Sequence, residues 1–170
     1  LVFGLGPRIN AAGRIDHARL AVELLLAPDA RTAQGLAQAI NEKNTLRRDV
    51  DSAMTAEALA MITAQQRSKR TTVLFKEDWH KGVVGIVASR CMEQYYRPTV
   101  ILTAAKGKAT GSARSVVGYN VYQAIAACSD LLDQYGGHAA AAGLTLPVEN
   151  VPAFQQRFEA VVAQSISNEL

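Results

Sequence analysis

The sequence is poor in the side chains from which metal and redox sites are built. Its 170 residues include three histidines, His17, His80 and His138, and two cysteines, Cys91 and Cys128. The cysteines lack the close paired spacing of a zinc site or a redox motif, so we expect two buried, reduced thiols. Two-metal phosphodiester hydrolysis needs several carboxylates and imidazoles around ions roughly 4 Å apart. The sequence therefore predicts that this segment binds no metal cofactor of its own.

Long apolar runs are also missing. No stretch reaches the roughly 20 apolar residues that span a bilayer, and no signal peptide is visible. We therefore expect no membrane partner and a cytoplasmic location. The chain begins Leu1-Val2-Phe3 without a methionine, which indicates an internal piece of a longer protein.

Acidic residues are absent from one interval in the middle of the chain. No Asp or Glu lies between Glu93 and Asp130, whereas the interval carries four cations: Arg97, Lys106, Lys108 and Arg114. The net charge of +3 alone does not separate a nucleic-acid binder from an ordinary basic protein. The local excess of cations favours a phosphate-facing groove on a strand pair. The alternative is a solvated sheet edge protected by lysines.

The apolar patterns predict an α/β fold, a mixed β-sheet domain preceded by a long connecting helix. Residues 18–27 are typical of a short helix, and residues 32–68 of one helix about 37 residues long. Two helices broken near Asn44 are the alternative. The rest predicts strands at 71–75, 99–103, 108–115 and 144–147, a turn at Lys106-Gly107, and helices at 82–95, 120–134 and 151–167. The order β-α-β-β-α-β-α implies helices packed on a mixed sheet.

Residues 136–143, Gly-Gly-His-Ala-Ala-Ala-Ala-Gly, have almost no side-chain bulk. Such a stretch lets a ligand or another chain approach the backbone closely. His138 is its only side chain that can donate or accept a hydrogen bond. Because Gly136 and Gly137 follow an amphipathic run that ends at Tyr135, they are also typical of a helix stop with tight packing.

Two further places can receive a phosphate. Ser112 and Arg114, two residues apart on a predicted strand, share a face and combine a hydroxyl with a planar guanidinium. The helix predicted to begin at residues 82–85 presents backbone N–H groups and the positive end of its dipole, and His80 and Lys81 lie just before it. The alternative is that the glycines there allow close helix-to-sheet packing. Trp79 either stacks on a base or is a partly buried anchor.

Four motifs, in this order, resemble the RecJ family of single-stranded-DNA-specific exonucleases in the DHH phosphoesterase superfamily. They are residues 6–14 (Gly-Pro-Arg-Ile-Asn-Ala-Ala-Gly-Arg), 79–90, 111–115 and 136–143. The last motif alone is typical of the wider DHH-associated nucleic-acid-binding domain. The set of four is more specific to the RecJ family.

The resemblance implies a division into three parts. Residues 1–28 would end the DHH catalytic domain, residues 29–70 would form the connecting helix, and residues 71–170 the DHH-associated domain. The parent enzyme would digest single-stranded DNA from its 5′ end with two Mn²⁺ or Mg²⁺ ions, held by the missing catalytic domain of the same chain. Asp16-His17 does not complete the Asp-His-His signature, because no second histidine follows.

The resemblance also implies residue roles. Ser112 and Arg114 would hold the DNA backbone near the 5′ end, and Arg8 and Arg14 would bind phosphate at the cleft or pair with acids outside this chain. The candidate nucleic-acid-binding residues are Arg8, Arg14, His80, Lys81, Gly82, Lys108, Ser112, Arg114, Gly137 and His138. Three alternatives stay open: an oligoribonuclease or nucleotide phosphatase of the same superfamily, a non-catalytic nucleic-acid-binding module, and a packing domain without a ligand.

Overall fold

The computed structural model describes residues 4–15, 18–62 and 68–166. The chain forms two compact units, Leu1–Ala53 and Met54–Leu170. The three-part division expected from the sequence stays a prediction.

The first unit contains helices α1 (Leu5–Ile15), α2 (Arg19–Leu25) and the beginning of α3 (Ala30–Met61). Pro7 lies in the first turn of α1, where its missing N–H leaves no hydrogen bond unmade. The unit has a small core made of Ala12, Ala21 and Ile40.

Helix α3 begins at an aspartate cap. The Asp29 carboxylate accepts a hydrogen bond from the backbone N–H of Thr32 at 2.8 Å, which lowers the pKa of Asp29. The helix then runs unbroken for 32 residues, on the order of 48 Å. The single long helix is confirmed and the alternative break near Asn44 is wrong. The helix ends at Met61, before the predicted end at residue 68; residues 63–67 lie outside the described part.

The second unit is built on a five-stranded mixed sheet in the order β1-β2-β3-β5-β4. Strand β1 is parallel to β2, and the other neighbours are antiparallel. The strands are β1 (Thr72–Phe75), β2 (Thr99–Ala105), β3 (Lys108–Arg114), β4 (Gln134–His138) and β5 (Ala141–Pro147). The helices are α4 (Val84–Tyr95), α5 (Val121–Ala126) and α6 (Val151–Ser165), with single 3-10 turns at Ser129–Leu131 and Val148–Asn150.

One face of the sheet, here called the core face, carries the apolar alternate residues. Val100, Leu102, Leu144 and Leu146 are buried there against α5 and α6, whose largest contributions are Ile125, Phe154 and Phe158. Burying side chains of this size contributes about 1.5–3 kcal/mol each. The opposite face, here called the groove face, is covered by α4 over β2 and β3.

The turn between β2 and β3 is confirmed at Lys106 and Gly107. Their φ values of 53° and 76° both lie in the left-handed region, the conformation of a two-residue type I′ hairpin. Asn120 is confirmed as the N-cap of α5, because its side-chain oxygen accepts from the N–H of Gln123 at 3.2 Å.

The helix-stop interpretation of Gly136 and Gly137 is wrong. Helix α5 ends at Ala126 rather than at residue 134, and both glycines lie in strand β4. Strand β5 begins at Ala141 rather than at residue 144, because residues 141–143 pair with β4 on one side and β3 on the other. The α/β class with a long preceding helix is confirmed, and the order gains one strand, becoming β-α-β-β-α-β-β-α.

Candidate nucleic-acid interface

The register of the sheet places His138 and Arg114 in one row across the groove face. His138 pairs with Ala141, and Ala141 pairs with Arg114. Residues directly opposed on antiparallel strands point to the same face. At about 4.8 Å between strands, the Cα atoms of His138 and Arg114 are on the order of 10 Å apart, with the Ala141 methyl between them.

The next row exposes the backbone, because two of its three residues are glycines. These two, Gly136 and Gly143, are here called the glycine floor. Gly136 pairs with Gly143, and Gly143 pairs with Ser112. A Cβ added at Gly136 would meet nothing within 4 Å, and one at Gly143 would meet the carbonyl oxygen of Gly111 at 3.8 Å. Neither glycine has a positive φ. Neither packing nor backbone conformation therefore requires glycine here, and the missing side chains leave room for a ligand to approach the backbone.

A third row completes the groove. Gln134 pairs with Thr145, and Thr145 pairs with Thr110. These three residues and the two floor glycines line a shallow groove of about 340 Å³. This row was not among the residues expected from the sequence. The available signal was the strand period, since Thr110 lies two residues before Ser112 and Thr145 lies two residues after Gly143.

The Arg114 guanidinium is held in place by its own domain. Its Nη1 donates to Ser112 Oγ and to the carbonyl oxygen of Ala113, each at 2.7 Å. Helix α4 lies against it at Gly85, where an added Cβ would come within 2.8 Å of Arg114 Nη2 and 3.2 Å of Ser112 Oγ. The close-packing interpretation is thus confirmed for Gly85. Arg114 and Ser112 form a preoriented pair of polar groups beside the floor.

The start of α4 is capped from within the chain. The N–H groups of Val83 and Val84 donate to the carbonyl oxygen of His80 at 2.9 and 3.3 Å, and the N–H of Gly82 donates to His80 Nδ1 at 3.1 Å. The hypothesis of free N–H groups is wrong for these three residues. Because His80 Nδ1 accepts, the proton of the neutral ring is on Nε2, which makes that atom a donor. Lys81 is exposed beside it.

Trp79 is a buried anchor, so the base-stacking alternative is wrong. It is 5% exposed, and its Nε1 donates to Glu57 Oε2 at 2.8 Å. Its carbonyl oxygen accepts from Thr103 Oγ1 at 2.7 Å. Hydrogen bonds from Lys76 and from Trp79 lower the pKa of Glu57. Helix α3 and strand β2 together fix the loop that carries His80 and Lys81.

The cations of the acid-free interval have separate positions. Arg97 is 6% exposed, donates to Thr72 Oγ1 at 2.8 Å, and has its pKa lowered by burial. Arg97 is thus packed within the domain and does not offer an exposed guanidinium to a ligand. Lys108 lies on β3 with its Nζ 3.0 Å from Asp133 Oδ2, and Lys106 lies in the exposed turn. Arg114 is the member of the set that lies beside the glycine floor.

Gly137 lies away from this floor, and Arg8 and Arg14 belong to the first unit. Gly137 pairs with Ala142 on the core face, and its φ of +146° suits glycine. An added Cβ there would collide with the carbonyl oxygen of Ala141 and lie 2.6 Å from Ala142 Cα. Arg8 and Arg14 are exposed on α1 in the first unit, where Arg8 donates to Asn41 Oδ1 at 2.5 Å. Their proposed roles stay predictions.

Metal ligands do not converge in the described residues. No group of three or more His, Cys, Asp or Glu side chains there is arranged to hold an ion. Asp16 and His17 lie outside the described part. In the same part, no helix combines the length and the apolar character needed to cross a membrane.

Comparison with known proteins identifies the relatives of this chain. The family model of the DHHA1 domain matches residues 68–164. The single-stranded-DNA-specific exonuclease RecJ of Bacillus subtilis is 41% identical over 169 residues, 98% of this chain and 22% of that protein. The protein of the same description from Escherichia coli is 38% identical over 173 residues, 96% of this chain and 30% of that protein.

Solved structures give the same relationship. RecJ from Thermus thermophilus in complex with Mg²⁺ matches with a TM-score of 0.85 and 37% identity, over 94% of this chain and 25% of that one. An exonuclease RecJ bound to manganese matches with a TM-score of 0.84, over 94% of this chain and 40% of that one. This chain thus spans well under half the length of these relatives. Its described residues do not fit the metal ions of those structures, since no ligand cluster is present among them.

Proposed function

Because this chain belongs to the DHHA1 domain family, we propose that it is the nucleic-acid-binding part of a RecJ-like 5′→3′ exonuclease. The groove face holds the sugar-phosphate backbone of single-stranded DNA. Hydrolysis occurs in a catalytic domain outside this chain, which holds Mg²⁺ or Mn²⁺. The observation that carries the proposal is the row of Arg114, Ala141 and His138 beside the unobstructed floor of Gly136 and Gly143.

The chemistry of the groove suits a phosphodiester backbone. Arg114 is a permanent cation, and an arginine with a neighbouring hydroxyl binds phosphate oxygens through charge-assisted hydrogen bonds. The His138 ring adds a further donor in the same row as Arg114, and His80 Nε2 is a donor at the start of α4. The glycine floor has no side chain that could read a base edge, so recognition is directed to the backbone rather than to sequence.

A salt titration tests the binding. The chain is titrated with a fluorescently labelled oligodeoxynucleotide at several salt concentrations. If about three phosphates are contacted, the slope of log K against log salt is near −2 for a single strand. The proposal fails if no binding is detected at low salt, or if the affinity does not change with salt.

A nuclease assay tests whether hydrolysis occurs outside this chain. The chain is incubated with labelled single-stranded DNA and Mn²⁺, and we expect no release of nucleotides because the described residues do not form a metal-ligand cluster. Release above a buffer control would place catalysis within this chain and contradict the proposal. The binding titration on the same preparation shows that the protein is folded and competent.

A further inference from the structure

The third row of the groove face, Gln134, Thr145 and Thr110, has no role in the function proposed above. We propose that this row is a second subsite, which hydrogen-bonds the sugar-phosphate of a nucleotide further along the strand than the one at Ser112 and Arg114. The inference rests on the proposed function and deepens it.

The spacing of the rows supports a subsite for a second nucleotide. Arg114 and Thr110 are four residues apart on one strand, which is on the order of 13 Å. That distance exceeds the reach of one sugar-phosphate unit. Between the two rows lie Gly136, Gly143 and Ser112, so an extended strand can cross without meeting a bulky side chain.

The two threonine hydroxyls have hydrogen-bonding capacity to spare. Thr110 Oγ1 and Thr145 Oγ1 are 3.2 Å apart, so one of their two protons is used between them. Thr110 Oγ1 also lies 3.4 Å from the carbonyl oxygen of Leu144, which is long compared with the usual 2.7–2.8 Å or so of an O–H···O bond. A phosphate or sugar oxygen in the groove would be a better acceptor. The exposed Gln134 amide adds two donors and one acceptor at the outer strand.

The row contains no ionisable side chain, so its contribution to binding should differ in salt dependence from that of a charged contact. Lys108 and Asp133, next along the groove, pair with each other at 3.0 Å. A contact made by hydroxyl and amide groups releases no counterions, so its contribution to affinity is insensitive to salt. The Arg114 end of the groove contributes the salt-dependent part of binding, and the threonine end contributes the dependence on oligonucleotide length.

The test is a length series on the double variant Thr110→Val, Thr145→Val, which removes both hydroxyls and keeps the branched shape that strands favour. Dissociation constants are measured for oligodeoxynucleotides of one to six nucleotides at two salt concentrations. We expect about tenfold weaker binding than the parent for three or more nucleotides, corresponding to loss of a hydrogen bond to a charged group. We expect unchanged binding of the mononucleotide and an unchanged salt slope.

Controls separate the hydroxyls from the fold. Thr110→Ser, Thr145→Ser restores hydroxyls and should recover most of the affinity. Thr45→Val removes an exposed threonine hydroxyl on α3 and should bind every length as the parent does. If the valine variant does not fold, the exposed Gln134→Ala variant replaces it, with a severalfold loss expected for the longer oligonucleotides alone.

Two outcomes overturn the inference while leaving the proposed function intact. One is that the variants bind all lengths as the parent does, and the other is an equal loss for the mononucleotide and the longer strands. Failure of the parent chain to bind any oligonucleotide would instead overturn both the subsite and the proposed function.

Discussion

The two faces of the sheet are made by alternate residues of the same strands, yet they are built differently. The core face presents Leu102, Leu144 and Leu146 to the buried phenylalanines of α6. The groove face presents Gly136, Gly143 and hydroxyl side chains in a shallow open depression. The apolar residues of the core face are accounted for by burial. Neither packing nor backbone conformation requires glycine at Gly136 and Gly143 of the groove face, which is the reason to assign the open part of this face to a ligand.

The glycines show the same contrast at the level of single atoms. On the core face, a Cβ added at Gly111 would collide with the carbonyl oxygen of Ile101 and lie 2.7 Å from Leu102 Cδ2. On the groove face, a Cβ added at Gly136 would meet nothing within 4 Å. The first glycine is needed for two strands to pack, and the second leaves space in front of the sheet.

The largest expected effect is on the core face. Phe158 is fully buried and stacks on Phe154 with ring centroids 5.5 Å apart. Replacing it with Ala should lower the free energy of unfolding by about 3–5 kcal/mol. Chemical denaturation gives the value, and DNA affinity per folded molecule should stay the same. A loss below about 1 kcal/mol would mean that this face is not the core.

On the groove face, Arg114→Ala should weaken single-stranded DNA binding by about 1.5–3 kcal/mol through loss of a charge-assisted contact. His138→Ala should also weaken binding and leave the melting temperature nearly unchanged, because the ring is exposed at the end of β4. Binding isotherms and melting curves are compared for both variants. If stability of the His138 variant falls first and binding falls only in proportion, the histidine is structural.

Alanine substitutions at Gly111 and Gly136 test the difference between the two faces. Gly111→Ala should destabilise the fold by about 1–3 kcal/mol, because backbone and a packed leucine occupy the site of the new methyl group. Gly136→Ala should leave stability unchanged or raise it by about 0.5 kcal/mol, since glycine weakens a strand interior. The second variant should nonetheless lose DNA affinity. Equal stability losses in the two variants would contradict the distinction between the faces.

The smallest expected effect concerns the hydrogen bond from Trp79 to Glu57. Hydrogen bonds from Lys76 and Trp79 lower the pKa of Glu57 from its ordinary value of 4.5. The ionised Glu57 carboxylate therefore stabilises the fold at pH values above 4.5, and this stabilisation is lost as the pH falls through the lowered pKa. Fluorescence of the single tryptophan follows unfolding across the acid range. Glu57→Gln should reduce the dependence of stability on pH in the acid range. An unchanged pH profile in that variant would contradict the stabilising role of the Glu57 carboxylate.

The sequence was sufficient for the elements whose signals are local. The apolar runs of β1 and β2, the turn at Lys106 and Gly107 and the cap at Asn120 follow from neighbouring residues alone. Strand β4 was missed because glycine has a low strand propensity, and it is strand only through its pairing with residues 141–145.

Some residues of the candidate site were predictable from the sequence, and their arrangement was not. The pattern indicated Ser112, Arg114 and His138, but the row that joins Arg114 to His138 exists only through the register of three strands. Likewise, spacing could not show that Trp79 is held by Glu57, or that His80 occupies the N–H groups at the start of α4. Each of these depends on partners that no local pattern specifies.

The central claim is that the groove face, and not the core side of the sheet, contacts single-stranded DNA. The most direct measurement is an NMR titration of the ¹⁵N-labelled chain with a short oligodeoxynucleotide, following every backbone amide. We expect the largest shifts at Ser112, Gly136, His138 and Gly143 and in the loop that carries His80 and Lys81. Shifts confined to α5 and α6, or no shifts at low salt, would contradict it.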